Sequence, residues 1–300
     1  MEWALTPPTR RAVLAALAAV AVGPIEARQR ESAAEALAAA EKAIGGRLGV
    51  CILDTGSGRL VGQRLDERFA LCSTFKLALA ALVLREAEQG RLRLDEVVPV
   101  TTADVVAHMP VTGAAVGRGL TVAALAEAAQ ATSDNAAANL LLARIGGPAG
   151  FTAKVREAGD RETRLDRTET ALNLVVPGDP RDTTTPRAMA HLVARLLTTD
   201  WLSWAARDRL AGWMVATTTG MQRIRAGLPK DWRAGDKTGT AQADAMTDKV
   251  NDIAVAWPPG RAPIVVTGYY DSARRTSATQ PGDEAVLAEV GRIAARWARG

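Results

Sequence analysis

The stretch "CSTFKLALAALVL", Cys72 to Leu84, is apolar along almost its whole length, yet near its start it carries Ser73 and, three residues on, Lys76. Apolar residues around the full circumference predict a helix buried on every side, central to whatever domain holds it. Residues at i and i+3 of a helix share a face, so the Lys76 ammonium can reach the Ser73 hydroxyl. A serine at a helix start has outward-pointing backbone NH groups and a favourable dipole beside it, and a buried lysine shifts readily toward its neutral, basic form. Taken alone, the pair also fits a capping serine followed by a lysine whose head reaches solvent.

Working outward, "RLGVCILDTGSGRLVGQR" places two apolar runs around Asp54-Thr55-Gly56-Ser57-Gly58, the pattern of a β-hairpin. Near the other end, "WRAGDKTGTA", "NDIAVAWPP" and "APIVVTGYYD" predict three strands, followed by a terminal helix in "DEAVLAEVGRIAARWAR". The middle is helical: Thr74–Gln89, Thr121 to Ala131, Asn135–Ile145 before Gly146-Gly147, and Pro186 to Leu197. The expected fold class is therefore α/β (α+β), with one antiparallel sheet built from both chain ends and an inserted all-helical domain. The boundaries are 28–65 with 216–300 for the sheet domain and 66–215 for the helical one. The long aperiodic segment from Asp160 to Thr185 is of a length that compact domains usually keep for function.

Two further short motifs stand at element boundaries. Ser133-Asp134-Asn135 lies between two helices, where each residue type also serves as a helix cap, and Lys237-Thr238-Gly239, followed by Thr240, lies on a strand. In the order SxxK, SDN, KTG the three resemble the serine β-lactamases and penicillin-binding enzymes. Within that superfamily, "RLDRTETALN", Arg164 to Asn173, is similar to the Ω-loop of class A β-lactamases, closed by "PGDPRDTTTP", so that the loop spans 164–182.

The resemblance implies a two-domain β-lactamase/transpeptidase-like fold and hydrolysis of β-lactam antibiotics through a serine acyl-enzyme, with a D,D-peptidase or a penicillin-binding sensor as the alternatives. It implies that Ser73 is the nucleophile, that Lys76 or Glu169 takes its proton, and that Ser133 relays a proton to the leaving nitrogen. The NH groups of Ser73 and Thr240 would form the oxyanion hole. Lys237, Thr238, Gly239, Thr240 and Arg223 would line the substrate carboxylate site, with Asn135 on the acylamide and Asn173 beside Glu169. His108 stands where relatives often place an aromatic at the cleft mouth. Thr170 follows the loop glutamate where many relatives have proline, and Arg167 with Asp182 match the ion pair that closes the loop.

Composition limits the alternatives. Of the chain's 300 residues 48% are hydrophobic and 23% charged, which is ordinary for a globular protein with a sizeable core. The formal net charge is +4, but the cations are scattered and not interleaved with aromatics, so no nucleic-acid partner is expected. Only two histidines, His108 and His191, and two cysteines, Cys51 and Cys72, are present, without metal-ligand spacing. No metal or other cofactor is expected. In an oxidising compartment the cysteines have the option of a disulfide, and two buried free thiols are the expectation.

Arg10 and Arg11 precede an apolar run from Ala12 to Val22 and then small residues, the pattern of an export leader over residues 1–27. "TRRAVL" also fits twin-arginine export. The run is shorter than the ~20 residues a bilayer span needs, so the mature chain is expected to be periplasmic or secreted, off the membrane and monomeric.

Overall fold

The computed structural model describes residues 24–299. The expected leader lies outside the described residues up to position 23; from Pro24 onward the chain is helical. The helices are α1 (Pro24–Ile44), α2 (Phe75–Glu88), α3 (Val122–Ala131), α4 (Asn135–Arg144), α5 (Gly147–Glu157), α6 (Pro186–Thr198), α7 (Trp204–Val215), α8 (Ile224–Gly227) and α9 (Pro281–Arg299). The strands are β1 (Arg47–Asp54), β2 (Leu60–Gln63), β3 (Phe69–Ala70), β4 (Val97–Val100), β5 (Arg118–Thr121), β6 (Thr183–Thr184), β7 (Arg233–Ala243), β8 (Met246–Trp257) and β9 (Ile264–Asp271).

Five strands form one antiparallel sheet in the order β2-β1-β9-β8-β7. Its centre joins the two ends of the chain, with Arg47 opposite Asp271 and Asp54 opposite Ile264. The period-2 alternation of strands sorts the side chains onto two faces. Val50, Ile52, Ala254 and Val266 pack with α1 and α9, whereas Cys51, Leu53, Val255 and Val265 pack with the helices of the middle segment, α2 and α6 among them. β7 ends the sheet, so one of its edges is left to face a partner other than a strand.

Helix α2 meets the expectation for an all-round apolar helix: every residue from Phe75 to Leu84 is buried, Lys76 included. Phe75 meets Phe151 of α5 edge to face at 5.9 Å between ring centres. Because α2 is enclosed by its neighbours, the position of anything at its N-terminus is set by packing on all sides.

Four helices escaped the sequence reading, α8 because it is a single turn of four residues and the other three for reasons in their sequences. In α1 the alanines carry little periodic contrast, so only its contacts with α9 reveal the buried face. The Gly146-Gly147 pair that ends α4 is followed at once by Pro148, which opens α5. Helix α7 buries Leu210, Trp213 and Met214 but turns Trp204 outward, blurring its stripe. The short pairs β3–β6 and β4–β5 are too brief to register as alternation.

Leu79 of α2 is 0% exposed, and Leu79→Ala is expected to lower unfolding stability by about 2–5 kcal/mol, as deletion of a core leucine typically does. Trp204, 73% exposed, provides the contrast, Trp204→Ala costing about 0.5 kcal/mol. Urea unfolding of the two variants measures both; equal losses would contradict the central placement of α2.

Candidate active site

A 3₁₀ turn at Cys72–Thr74 delivers the chain into α2 and carries Ser73. The turn is pinned at its start, where the Leu71 amide donates to Asp182 O at 2.8 Å and Thr74 Oγ1 donates to Leu71 O at 2.6 Å. One turn later, Lys76 Nζ donates to Ser73 Oγ at 3.0 Å, as the i, i+3 spacing requires. The ammonium also meets Ser133 O at 2.9 Å, Asn135 Oδ1, and the carboxylate of Glu169 at 2.9 Å. Acceptors from four residues, with Ser133 Oγ at 3.4 Å beside Ser133 O, account for how a fully buried lysine is tolerated. Burial pulls the Lys76 pKa below the usual lysine value, and the Glu169 carboxylate acts in the opposite direction.

The Ser133-Asp134-Asn135 segment divides its work. Ser133 holds a left-handed backbone, φ 60°, which is uncommon outside glycine. Asp134 is the N-cap of α4, accepting from the Ala137 amide, and also accepts from the amides of Val111 and Thr112 at 3.0 and 2.8 Å. The capping reading of this motif therefore holds for Asp134, while its two neighbours face Lys76. Asn135 donates through Nδ2 to Ala107 O at 2.8 Å, and its amide donates to His108 O at 3.0 Å. His108 is exposed, also left-handed at φ 61°, with Nε2 3.0 Å from Thr132 O, beside the Ser133 segment.

From the other side, edge strand β7 presents Lys237, whose Nζ donates to Ser133 Oγ at 3.0 Å and to Thr238 O at 2.8 Å. Burial, with Lys76 adding like-charge repulsion, pushes the Lys237 pKa well below the usual lysine value. Gly239 faces the 3₁₀ turn: a Cβ there would stand 2.9 Å from Leu71 O and 3.1 Å from Cys72 Cβ, so a side chain would force β7 away from Ser73. Thr238 and Thr240 alternate onto the opposite face. Thr238 Oγ1 pairs with Thr219 Oγ1 at 2.7 Å, and Arg223 donates to Thr240 Oγ1 at 2.8 Å. Arg223 lies behind the strand, 4% exposed, its guanidinium also engaged by Asn251 O at 2.8 Å and Glu284 at 3.1 Å.

The aperiodic segment supplies the last group. Ser73 Oγ donates to Glu169 Oε1 at 3.2 Å, and Asn173 Nδ2 donates to Glu169 Oε2 at 2.7 Å. The Glu169–Thr170 peptide bond is cis. Arg167 and Asp182 form the expected ion pair at 2.6 Å, and Asp182 also accepts from the amides of Asp166 and Arg167 at 2.7 and 2.9 Å. One participant escaped notice in the sequence. Asn139 of α4 accepts from the Glu169 amide at 2.9 Å and donates to Glu169 O at 2.8 Å, gripping that residue's backbone from both sides. Its signal was its position four residues after Asn135, on the same helix face.

Both cysteines are buried free thiols, and burial pushes the Cys51 thiol up to about 12. Cys72 packs instead in a small apolar cluster with Ala70, Ala241 and Met246. Among the described residues no grouping of three or more His, Cys, Asp or Glu side chains is placed to hold a metal ion. The arrangement thus offers a serine hydroxyl held between a lysine and a carboxylate, with a second serine and lysine opposite.

The family model described as "Beta-lactamase enzyme family" matches residues 31–298. The chain is 49% identical over 266 residues to Beta-lactamase L2 of Stenotrophomonas maltophilia, covering 88% of this chain and 86% of that one. It is 44% identical over 261 residues to the Carbapenem-hydrolyzing beta-lactamase KPC of Klebsiella oxytoca, covering 87% of each. Among solved structures, an Ancestral (GNCA) Beta-lactamase class A superposes with a TM-score of 0.82 at 54% identity, covering 87% of this chain and 98% of that one. The family match, the extent of identity and the shared fold agree with the motif geometry, and the chain belongs to the class A serine β-lactamases.

Proposed function

We propose that this protein hydrolyses β-lactam antibiotics through an acyl-serine intermediate and so confers resistance to them. The observation that carries the reading is the Glu169 carboxylate, which touches Ser73 Oγ with one oxygen and the Asn173 amide with the other. A group placed there can activate a water for attack on an ester formed at Ser73, the step that separates turnover from capture.

In the proposed sequence Lys76, whose burial weakens its hold on its proton, first yields that proton to the Glu169 carboxylate 2.9 Å away, and the neutral amine, 3.0 Å from Ser73 Oγ, then takes the serine proton as that oxygen attacks the lactam carbonyl. The backbone NH groups of Ser73 and Thr240 receive the developing oxyanion, a contribution of roughly 3 kcal/mol per donor in such sites. Ser133 passes a proton to the departing nitrogen, with Lys237 fixing its hydroxyl at 3.0 Å. Lys237, Thr238 and Thr240 receive the substrate carboxylate, Arg223 acting on Thr240 from behind, while Asn135 and His108 border the acylamide side. Gly239 allows β7 to close on the turn. Glu169 then serves deacylation. This chemistry asks for neither metal nor organic cofactor. The reading extends to an exported monomer released from a leader over 1–27 into the periplasm or medium, and to a division at 65/66 and 215/216 into sheet and helical domains.

Intact-protein mass against time with benzylpenicillin tests the proposal. Wild type should return rapidly to its unmodified mass, Ser73→Ala should never gain an adduct, and Glu169→Ala should accumulate the ester because deacylation slows by about 10²- to 10⁴-fold. A persistent adduct on wild type would instead indicate a sensor or peptidase. Glu169→Ala deacylating as fast as wild type would remove the proposed base.

Asn139→Ala, which removes both contacts to the Glu169 backbone, should slow deacylation about tenfold while leaving the rate of ester formation within about twofold, since two hydrogen bonds to one mispositioned residue are lost. Single-turnover acylation and adduct decay measure the two separately. Equal slowing of both would mean Asn139 supports the whole site, not Glu169 alone.

A further inference from the structure

A cavity of about 540 Å³ lies between the distal half of the 164–182 loop and the end of the sheet, and none of Ser73, Lys76, Ser133, Glu169 or Lys237 lines it. Its floor is Phe69 and Ala70 of β3, the buried Phe69 ring overlain by the Arg47 guanidinium at 4.5 Å, with Met246 from the start of β8. Val175, Val176 and Pro177 of the loop form the wall, Val176 with its side chain exposed. Loop and hairpin are tied across the cavity where the Val175 amide donates to Met246 Sδ at 3.4 Å.

The charged lining is almost fully self-paired. Asp271 is bridged by Arg47 at 2.8 Å and Lys249 at 3.3 Å, Arg68 pairs with Glu162 at 2.7 Å, and Asp179 pairs with Arg181 at 2.7 Å. Arg275 is the exception, a lining cation with no acidic partner among the described residues. Lys249, its side chain 9% exposed, uses two of its three protons, on Asp271 and on Thr247 Oγ1 at 2.9 Å, and keeps the third.

We infer that this cavity is a second ligand site, separate from the Ser73 cleft, for an amphiphilic monoanion: an apolar or aromatic body against Met246, Val175 and Val176 with a carboxylate or sulfonate on Arg275 and Lys249. A dianion has one unpaired cation to meet and a neutral apolar molecule leaves Arg275 and the spare Lys249 proton unused, so one negative charge matches the lining. The site requires nothing of the catalytic reading. It bears on it, because a body seated against Val175–Pro177 holds the loop whose other half carries Glu169 and Asn173.

The probe is 8-anilinonaphthalene-1-sulfonate, an aromatic body with one sulfonate, titrated by fluorescence against the full chain and followed by ¹⁵N amide shifts. Arg275 is exposed, so its variants should fold. Arg275→Glu should weaken binding at least about tenfold and Arg275→Lys by less than about threefold, as expected for a charge-assisted contact. The amides of Val175, Gly178, Met246 and Lys249 should shift while those of Ser73, Ser133 and Lys237 stay in place. Unchanged affinity in Arg275→Glu, or shifts centred on Ser73 and Lys237, would overturn the inference.

Discussion

A lysine with no access to water must find its counter-groups inside the protein or give up its charge, and much of this structure is arranged around that condition at Lys76. The four residues that supply its acceptors come from three different parts of the chain: the 3₁₀ turn, the Ser133–Asn135 segment and the 164–182 loop. The ammonium is therefore the point at which helix α2, helix α4 and the loop are registered to one another. Losing any one acceptor leaves a buried charge less well matched, so the geometry of the site and its electrostatics are the same constraint. Burial favours the neutral amine and Glu169 favours the ammonium, so the two act on the head in opposite senses, with burial the larger.

The rest of the fold serves to bring β7 to this point. The sheet joins the chain's two ends, and its terminal strand has one edge free to close on the turn before α2. Closure depends on the absence of a side chain at Gly239, where a single carbon would meet Leu71 O and Cys72. It brings a second buried lysine, Lys237, to the hydroxyl of Ser133, so two cations share one pocket and repel. Arg223 behind the strand and Asp182 within the loop keep the two flanks in position, each by bonds to backbone as well as to side chains.

The fold was legible where periodicity is strong. The hairpin of β1 and β2, strands β7 to β9, and helices α2, α4, α6 and α9 follow from alternation, helical spacing and glycine stops. Alanine-rich α1 lacks the contrast that periodicity needs, and Gly146-Gly147 hid the start of α5 because a stop and a start share the same residues. At the site, Ser73, Lys76, Ser133, Asn135, Glu169, Asn173 and Lys237 do converge, because each belongs to a short motif at an element boundary. Asn139 shares a helix face with Asn135, but its partner is a backbone 30 residues away, so its place on that face does not by itself name the contact. The enclosure of Arg223 behind β7 was equally out of reach, since its partners lie on β7, β8 and α9. The cavity beneath the loop is a product of tertiary assembly, with walls from five separate stretches of chain.

The account rests most heavily on the Lys76–Glu169 contact, and the protonation of Lys76 Nζ reports it directly. The measurement is the pH titration of the Lys76 ¹⁵Nζ or ¹³Cε resonance in selectively labelled protein, in wild type and in Glu169→Gln. Burial predicts a titration below the ordinary lysine value of 10.5, and removing the carboxylate that opposes burial should carry it lower still. A resonance that titrates at the ordinary value in both proteins, or that is unmoved by Glu169→Gln, would contradict the claim that these two groups govern one another across Ser73.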